Sequence, residues 1–134
     1  MTDLVLSPGL LEKIIRYSKS AYPNEACGLL AGRGTAARFI PMNNISAGSD
    51  RYEMDPTELI ATLRGLRDGG EELVAIFHSH PHGPAEPSKI DIERAYYPEA
   101  AHLIVSLAEP ERPRALAFRI LGGEAIPIEV HVIV

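Results

Sequence analysis

An apolar run that ends in two histidines is the feature of this 134-residue sequence that most restricts its fold. Residues 73–77 are continuously apolar and of strand length, which indicates a central strand covered on both faces. The run continues directly into His78-Ser79-His80-Pro81. Because residues two apart on a strand point to the same side, His78 and His80 can direct two imidazoles at one point, and Pro81 helps to end the strand.

Strand and helix patterns alternate along the rest of the chain. Strands are predicted at residues 4–6, 27–31, 38–42, 103–107 and 116–120, and helices from Ser7 to about Tyr22, from Asp55 to Gly69 and from Ser88 to about Tyr97. Ser7 and Asp55 are each followed by proline, which is typical of an N-cap and a first helical position. Helices interleaved with strands predict a layered α/β arrangement around one sheet, in a single domain over residues 1–134.

Two further apolar patterns predict which faces are buried. Leu59, Ile60, Leu63 and Leu66 fall on one face of the second helix at helical spacing. The tail at 126–134 alternates, which predicts a last strand with Ile126, Ile128, Val130, Val132 and Val134 on one face and Pro127, Glu129 and His131 on the other. That face could cover the core or form an edge that pairs with another subunit, so the oligomeric state stays open.

Charge and composition narrow the class of protein. The formal net charge is −5 and no run of Lys and Arg is present, which argues against nucleic acid as the main partner. No apolar run approaches the length of a bilayer span, so no membrane role is expected. The N-terminus does not resemble a signal peptide, and the single Cys27 excludes an intrachain disulfide. The expected location is therefore cytoplasmic.

A carboxylate follows the two histidines at a useful distance. Ser88-Lys89-Ile90-Asp91 opens the third predicted helix, and the loop before it can fold the first turn back over the strand end. Two imidazoles and one carboxylate are a common zinc set that leaves a fourth position open. The alternative is that Ser88 is only an N-cap and Asp91 only an acid favoured by the helix dipole.

The joint pattern His78-x-His80-Pro81, a loop, then Ser88-x-x-Asp91 resembles the JAMM motif of the MPN (Mov34/MPN/PAD-1) family, in its compact prokaryotic form. Upstream, Glu25 in Glu-x-x-Gly-x-Leu is similar to the family's catalytic acid, and the resemblance covers nearly the whole chain. It implies a mixed, curved β-sheet flanked by helices, an architecture related in outline to that of cytidine deaminases.

The resemblance also implies a role for each matching residue. His78, His80 and Asp91 would bind one Zn²⁺, with water as the fourth ligand. Glu25 would act as general base on that water, and Ser88 would stabilise the oxyanion. The protein would then hydrolyse an amide bond after the Gly-Gly tail of a ubiquitin-like or sulfur-carrier protein. Residues 49–54 and the helix after them, with Tyr52 and Met54, are expected to form the groove for that tail.

Other interpretations are weighed on the same residues. A non-catalytic MPN scaffold would normally lack part of this set, and a RadC-type DNA-associated protein conflicts with the acidic charge. A zinc deaminase needs paired cysteines, which the chain does not have. His82 is expected at the rim of the site, His102 and His131 in structural positions, and Cys27 as a buried, inert thiol.

Overall fold

The structure is a computed structural model that describes residues 3–46 and 49–134. Within these residues the elements are β1 (Leu4–Leu6), α1 (Leu10–Ala21), β2 (Cys27–Arg33), β3 (Thr35–Met42), α2 (Pro56–Asp68), β4 (Glu72–His80), α3 (Lys89–Glu93), β5 (Ala101–Ser106), β6 (Arg114–Leu121), β7 (Glu124–Ile128) and β8 (Val130–Val132). No helix in the described part of the chain is long and apolar enough to cross a bilayer.

One eight-stranded mixed sheet contains every strand, in the order β7-β6-β5-β4-β2-β3-β1-β8. The pairs β1–β3, β1–β8 and β4–β5 are parallel and the others antiparallel. β7 and β8 lie at opposite ends of this order, yet only Glu129 separates them in the chain. The sheet must therefore curl until its ends approach each other, which confirms the predicted mixed, curved sheet.

The prediction of a single strand for the C-terminal tail is wrong. β7 pairs with β6, whereas β8 pairs with β1 at the other end of the sheet. The change of partner occurs at Glu129, whose carbonyl accepts a hydrogen bond of 2.9 Å from the Leu4 amide. Ile126 and Val132, predicted to lie on one face, are both exposed. Strict alternation predicts extended backbone, but it does not specify which strand is the partner.

The predicted start of the first helix is also wrong. α1 begins at Leu10 after Gly9, which takes φ 78° and provides no side-chain cap. Ser7 is therefore not the N-cap; it directly follows β1, and its amide donates to the Ala36 carbonyl of β3 at 2.9 Å. The helix nevertheless buries Leu10 and Ile14, two residues of the predicted stripe.

The N-cap of α2 agrees with the sequence, whereas one residue of its predicted apolar face and the end of α3 do not. Asp55 accepts from the Thr57 amide at 2.9 Å, as an N-cap should. Ile60 is the exception on the predicted apolar face of α2, since it is 52% exposed. α3 ends at Glu93 rather than near Tyr97. Tyr97 precedes Pro98, and helical backbone is disfavoured for the residue before a proline. Tyr97 instead packs against a buried cluster beneath α2.

β4 lies between two apolar clusters, one on each face of the sheet. Phe77 belongs to the cluster beneath α1, together with Ile14 and Leu103. Ile76 belongs to the cluster beneath α2, with Leu29 and partly buried Leu59. Both faces of the strand are therefore covered, as the apolar run predicts. Because side chains alternate along a strand, His78 lies on the Ile76 face, and this places the candidate site on the α2 side.

Two glycines test the packing of this frame. A Cβ at Gly28 would lie 2.6 Å from Phe39 Cε1 and 2.7 Å from the Ile40 carbonyl oxygen. Gly28→Ala is therefore expected to lower the free energy of unfolding by about 2 kcal/mol or more. Gly65, in the exposed interior of α2, has no atom within 4 Å of the same position. Gly65→Ala should raise stability by about 0.5–1 kcal/mol. Urea denaturation measures the free energy of unfolding of both variants. Equal changes in the two would contradict the close packing at Gly28.

Candidate metal centre

The end of β4 places two imidazoles together. His78 and His80 are both buried, and their Nε2 atoms lie 3.1 Å apart. This confirms that the two side chains leave the strand on the same side. Ser79 points to the other side, as expected, where its Oγ accepts a hydrogen bond of 2.8 Å from the Ala26 amide. That bond ties the segment before β2 to the end of β4.

Asp91 completes a triangle of donor atoms. Its Oδ2 lies 3.0 Å from His78 Nε2 and 3.0 Å from His80 Nε2. The same oxygen accepts from the Ser88 amide at 2.8 Å, while Ser88 Oγ accepts from the Asp91 amide at 3.1 Å. The sequence offered a helix cap and a metal ligand as alternatives. The structure contains the cap, and the capping box holds the carboxylate that faces the histidines, so the two roles are compatible.

The dimensions of this triangle fit a small divalent cation. A tetrahedral zinc site with bonds of roughly 2.0–2.1 Å separates neighbouring donor atoms by about 3.3 Å. The three distances here are 3.0, 3.0 and 3.1 Å. Two imidazoles and a carboxylate are also donors that zinc favours. The residues present therefore fit the metal that the motif implies.

Neighbouring groups orient the two rings. His80 Nδ1 donates to the Pro84 carbonyl at 2.8 Å, so Nε2 is the ring nitrogen that faces Asp91 and His78 and the one that a metal would take. The His78 ring stacks on Tyr52, with centroids 4.6 Å apart and an interplanar angle of 24°. His78 Nδ1 has no hydrogen-bond partner within residues 3–46 and 49–134. Its orientation therefore depends on the strand and on the tyrosine.

For two of the three donor residues, the pKa shift favours the protonation state in which the side chain can bind a metal. Burial alone would raise the pKa of Asp91, but the hydrogen bonds from His78 and His80 outweigh it and hold that pKa far below its usual range. Burial lowers the pKa of His78 and so favours the neutral ring. The pKa of His80 is raised overall, because its bonds to Asp91 and Pro84 exceed the opposing effect of burial. Metal binding at His80 would therefore displace a proton.

Glu25 lies beside this triangle, just before β2. Glu25 is 3% exposed, and one of its carboxylate oxygens lies within 4.8 Å of a ring nitrogen of His78 and of His80. Burial raises its pKa to about 8; Asp91 and Asp50 add to the rise, and His80 opposes it. Its Oε1 is buried and has no hydrogen-bond partner in the described chain. Glu25 could in principle replace Asp91 as a ligand, but Asp91 makes the closer contacts.

Two cavities flank the triangle. The first, of about 410 Å³, is largely apolar; its walls include Leu29, Tyr52, Met54, Leu59, Ile76, Ile90 and Tyr97. The second is a cleft of about 360 Å³ that contains Glu25, His80 and Ser88 together with residues of the loop after β4. The candidate metal centre therefore lies between two cavities, and Glu25 and Ser88 both line the second.

The remaining histidines and the cysteine lie outside the triangle. His82 is exposed beside the cleft and packs edge-on against Tyr22, with centroids 5.3 Å apart, as expected for a rim residue. His102 is buried in β5 and lines the apolar cavity; burial lowers its pKa to about 4. His131 lies 3.0 Å from Asp3 at the seam of the sheet. Cys27 is buried, and burial raises its pKa to about 12, which is consistent with an inert thiol.

Asn44 is a residue of the site that the sequence analysis missed. Its Nδ2 donates to the Glu25 carbonyl at 3.1 Å and to the Arg51 carbonyl at 3.3 Å. Its Oδ1 accepts from the amides of Ser46, at 2.9 Å, and Glu53, at 3.0 Å. One side chain thus joins the segment that carries Glu25 to the loop that carries Tyr52. A lone asparagine in a polar loop has no pattern that would have revealed these partners.

The comparisons with known proteins agree with this geometry. The family described as prokaryotic homologs of the JAB domain matches residues 7–120. A CysO-cysteine peptidase from Mycobacterium tuberculosis is 32% identical over 133 residues, which cover 97% of this chain and 91% of that protein. A probable TtuB-protein conjugate cleaving protease from Thermus thermophilus is 41% identical over 93 residues, covering 69% of this chain and 63% of that protein.

Solved structures give the same result. A protein from Desulfitobacterium hafniense superimposes with a TM-score of 0.86 at 34% identity, covering 97% of this chain and 92% of that one. A structure that describes JAMM as a metalloprotease-like zinc site in the proteasome and signalosome gives a TM-score of 0.61 at 23% identity, covering 99% and 100%. At 23% identity, the similarity to this second structure shows a shared fold alone.

The fold and the site define a JAB-type peptidase domain, so the resemblance to the MPN/JAMM family is confirmed. The chain belongs to the prokaryotic homologs of the JAB domain. It is a hydrolase.

Removal of the Asn44 side chain tests its structural role. Asn44→Ala is expected to lower the free energy of unfolding by about 2 kcal/mol, because four backbone groups lose their partner. Hydrogen exchange at the Ser46 and Glu53 amides should accelerate, since both donate to Asn44 Oδ1. The control is Asn43→Ala, which removes only an exposed 3.3 Å bond to Glu58 and should cost less than about 0.5 kcal/mol. Unchanged exchange in Asn44→Ala would contradict the account.

Proposed function

We propose that this protein is a zinc metallopeptidase that hydrolyses the amide bond after the Gly-Gly tail of a ubiquitin-like or sulfur-carrier protein. The observation that carries the proposal is the buried triangle of His78 Nε2, His80 Nε2 and Asp91 Oδ2. Beside it lies Glu25, whose Oε1 has no hydrogen-bond partner among the described residues. His78, His80 and Asp91 would hold the metal. When bound, zinc polarises a carbonyl and lowers the pKa of water.

Glu25 would move the proton. Hydrolysis needs a group that takes a proton from the attacking water and gives it to the departing nitrogen, so that the C–O bond forms as the C–N bond breaks. Without a metal, burial raises the pKa of Glu25 to about 8. A bound cation nearby would favour the ionised carboxylate, which can take a proton from water and then give it up. Glu25 lines the cleft, and its Oε1 has no hydrogen-bond partner among the described residues, so this oxygen can pair with a group that enters the site.

Ser88 would stabilise the negative charge that develops on the carbonyl oxygen. Its Oγ accepts from the Asp91 amide, so its own O–H group remains available as a donor. The hydroxyl sits at the first turn of α3 and lines the cleft beside Glu25 and His80. A donor held in place before the reaction costs little reorganisation when the charge appears.

The tail of the carrier would occupy the apolar cavity. Tyr52, Met54 and Leu59 line it, which agrees with the groove expected from residues 49–54 and the following helix. Glycines at the end of the tail would let its backbone pass close to the metal centre. The mycobacterial relative is a CysO-cysteine peptidase and the Thermus relative a probable TtuB-protein conjugate cleaving protease, which supports a carrier protein as substrate for this chain too.

Glu25→Gln tests the proton-transfer role. The amide cannot take up a proton, so kcat/KM for a carrier protein extended beyond Gly-Gly is expected to fall by about 100-fold or more. Bound zinc, measured by mass spectrometry of the metal, should remain at the wild-type level. Glu93→Gln, an exposed acid at the end of α3, is the control and should leave both quantities unchanged. Wild-type rates in Glu25→Gln would overturn the assigned role.

Two substitutions of Tyr52 test the tail groove. Tyr52→Ala removes a wall of the apolar cavity and should raise KM for the carrier substrate about tenfold. Zinc is expected to stay bound, and its content is measured in the same sample because this ring also stacks on His78. Tyr52→Phe keeps the ring that stacks on His78 and should behave like the wild type. If both variants keep the wild-type KM, the tail does not bind here. Met54 is less suitable because it is buried in the core.

A further inference from the structure

Three buried side-chain atoms have no hydrogen-bond partner within residues 3–46 and 49–134. They are Glu25 Oε1, His78 Nδ1 and His102 Nε2. Such atoms are rare in folded proteins, because each loses its hydration without gaining a partner. The proposed function gives Glu25 a use for its free oxygen, as the group that moves the proton. The two histidine nitrogens have no use in that mechanism.

His102 lies on the same face of the sheet as His78. β4 and β5 are parallel neighbours, and Ile76 is the register partner of His102. Because side chains alternate along a strand, His102 and Ile76 point to the α2 side, and so does His78 two residues further along β4. Diagonal neighbours on adjacent strands are close enough for two long side chains to interact. His102 also lines the apolar cavity beside Tyr52, whose ring stacks on His78.

The surroundings of His102 leave its Nε2 without a partner. The residue is 3% exposed, and its register partners on both sides, Ile76 and Phe118, are apolar. Burial lowers the pKa of His102 to about 4, and the nearby His78 adds to the fall, so the ring is neutral. A neutral imidazole carries one N–H group and one lone pair. With its hydrogen on Nδ1, His102 presents a buried acceptor at Nε2.

A metal at the triangle would create the donor that matches this acceptor. His78 faces Asp91 and His80 through Nε2, so Nε2 is the nitrogen whose lone pair a cation would take. The single hydrogen of the neutral ring must then be on Nδ1. Ligating histidines almost always donate this hydrogen to a fixed acceptor, and His80 has one in the Pro84 carbonyl. Among the described residues, His78 Nδ1 has none.

We propose that His102 is a positioning residue of the metal centre, whose Nε2 accepts the hydrogen bond from His78 Nδ1 when the metal is bound. The inference rests on the metal centre of the proposed function. The bond runs directly between the two nitrogens or through one bridging water. In either form it fixes the tautomer and the direction of the His78 ring and strengthens that ring as a ligand. His102 thus acts on the metal through His78.

Zinc affinity tests this role, measured as Kd by competition with a chelator of known affinity. His102→Leu removes the acceptor and is expected to raise the Kd for zinc about tenfold or more. His102→Gln places an acceptor oxygen at about the position of Nε2, and its Kd should stay within about threefold of the wild type. His131→Leu makes the same change at the exposed seam, outside both cavities, and should keep the wild-type Kd. Wild-type affinity in His102→Leu, or an equal loss in His102→Leu and His102→Gln, would overturn the proposal.

The metal-free protein distinguishes a positioning role from a merely structural one. Without zinc, His102→Leu replaces an unpartnered buried nitrogen by an apolar group of similar size. Its free energy of unfolding in urea should therefore equal or exceed that of the metal-free wild type. Weaker zinc binding in a chain that is no less stable without zinc assigns the effect to the metal centre. Lower stability together with an unchanged Kd would assign His102 to the core alone and refute the proposal.

Nitrogen-15 NMR of the histidine rings follows the hydrogen itself. At saturating zinc, exchange of the His78 Nδ1 hydrogen with water should be about tenfold or more faster in His102→Leu than in the wild type. His102→Gln should retain the slow exchange. Equal exchange in all three chains would contradict the hydrogen bond, even if His102→Leu binds zinc more weakly because it is less stable.

These measurements use no substrate, so they separate this inference from the proposed function. A chain that shows the expected zinc affinities but cleaves no carrier conjugate would refute the proposed function and leave the inference standing. Cleavage of a carrier conjugate, with a zinc Kd that His102→Leu leaves unchanged, would refute the inference alone. A wild type that binds no zinc would refute both.

Discussion

The antiparallel pairing of β2 with β4 is the constraint on which the site depends. It sets Cys27 opposite His78, and thereby brings Glu25, two residues before β2, to the edge where the histidines leave the sheet. The bond from the Ala26 amide to Ser79 Oγ fixes the same approach from the other face. A shift of this register by one residue would turn His78 and His80 to the opposite face and separate them from both Asp91 and Glu25.

Three separate segments meet at this edge, and each contributes what its local structure allows. β4 supplies two imidazoles at strand spacing, the capped first turn of α3 supplies a carboxylate, and the turn before β2 supplies a buried acid. Burial of Glu25 raises its pKa, whereas the two histidines lower that of Asp91. Two carboxylates within one small site are thereby suited to different roles, one to hold a proton and one to remain ionised.

The sequence predicted best those features that depend on neighbouring residues. The apolar strand before His78, the Asp55 cap and the Ser88–Asp91 turn follow from local patterns, and the structure contains each of them. Features that depend on distant partners were missed. Ser7 is held by β3, the tail changes partner at Glu129, and the bonds of Asn44 reach segments that no periodicity connects. The importance of Glu25 came from the family resemblance, since an acid after a turn has no local signal of its own.

The zinc content of four purified chains, after zinc loading and desalting, tests the central claim most directly. The wild type and His82→Ala, a substitution at the rim, are expected to hold one zinc per chain. His80→Ala and Asp91→Ala should lose the metal while circular dichroism shows the fold intact. A wild type without zinc, or zinc that survives both ligand substitutions, would contradict the metal centre and favour a protein-binding module that retains only the motif.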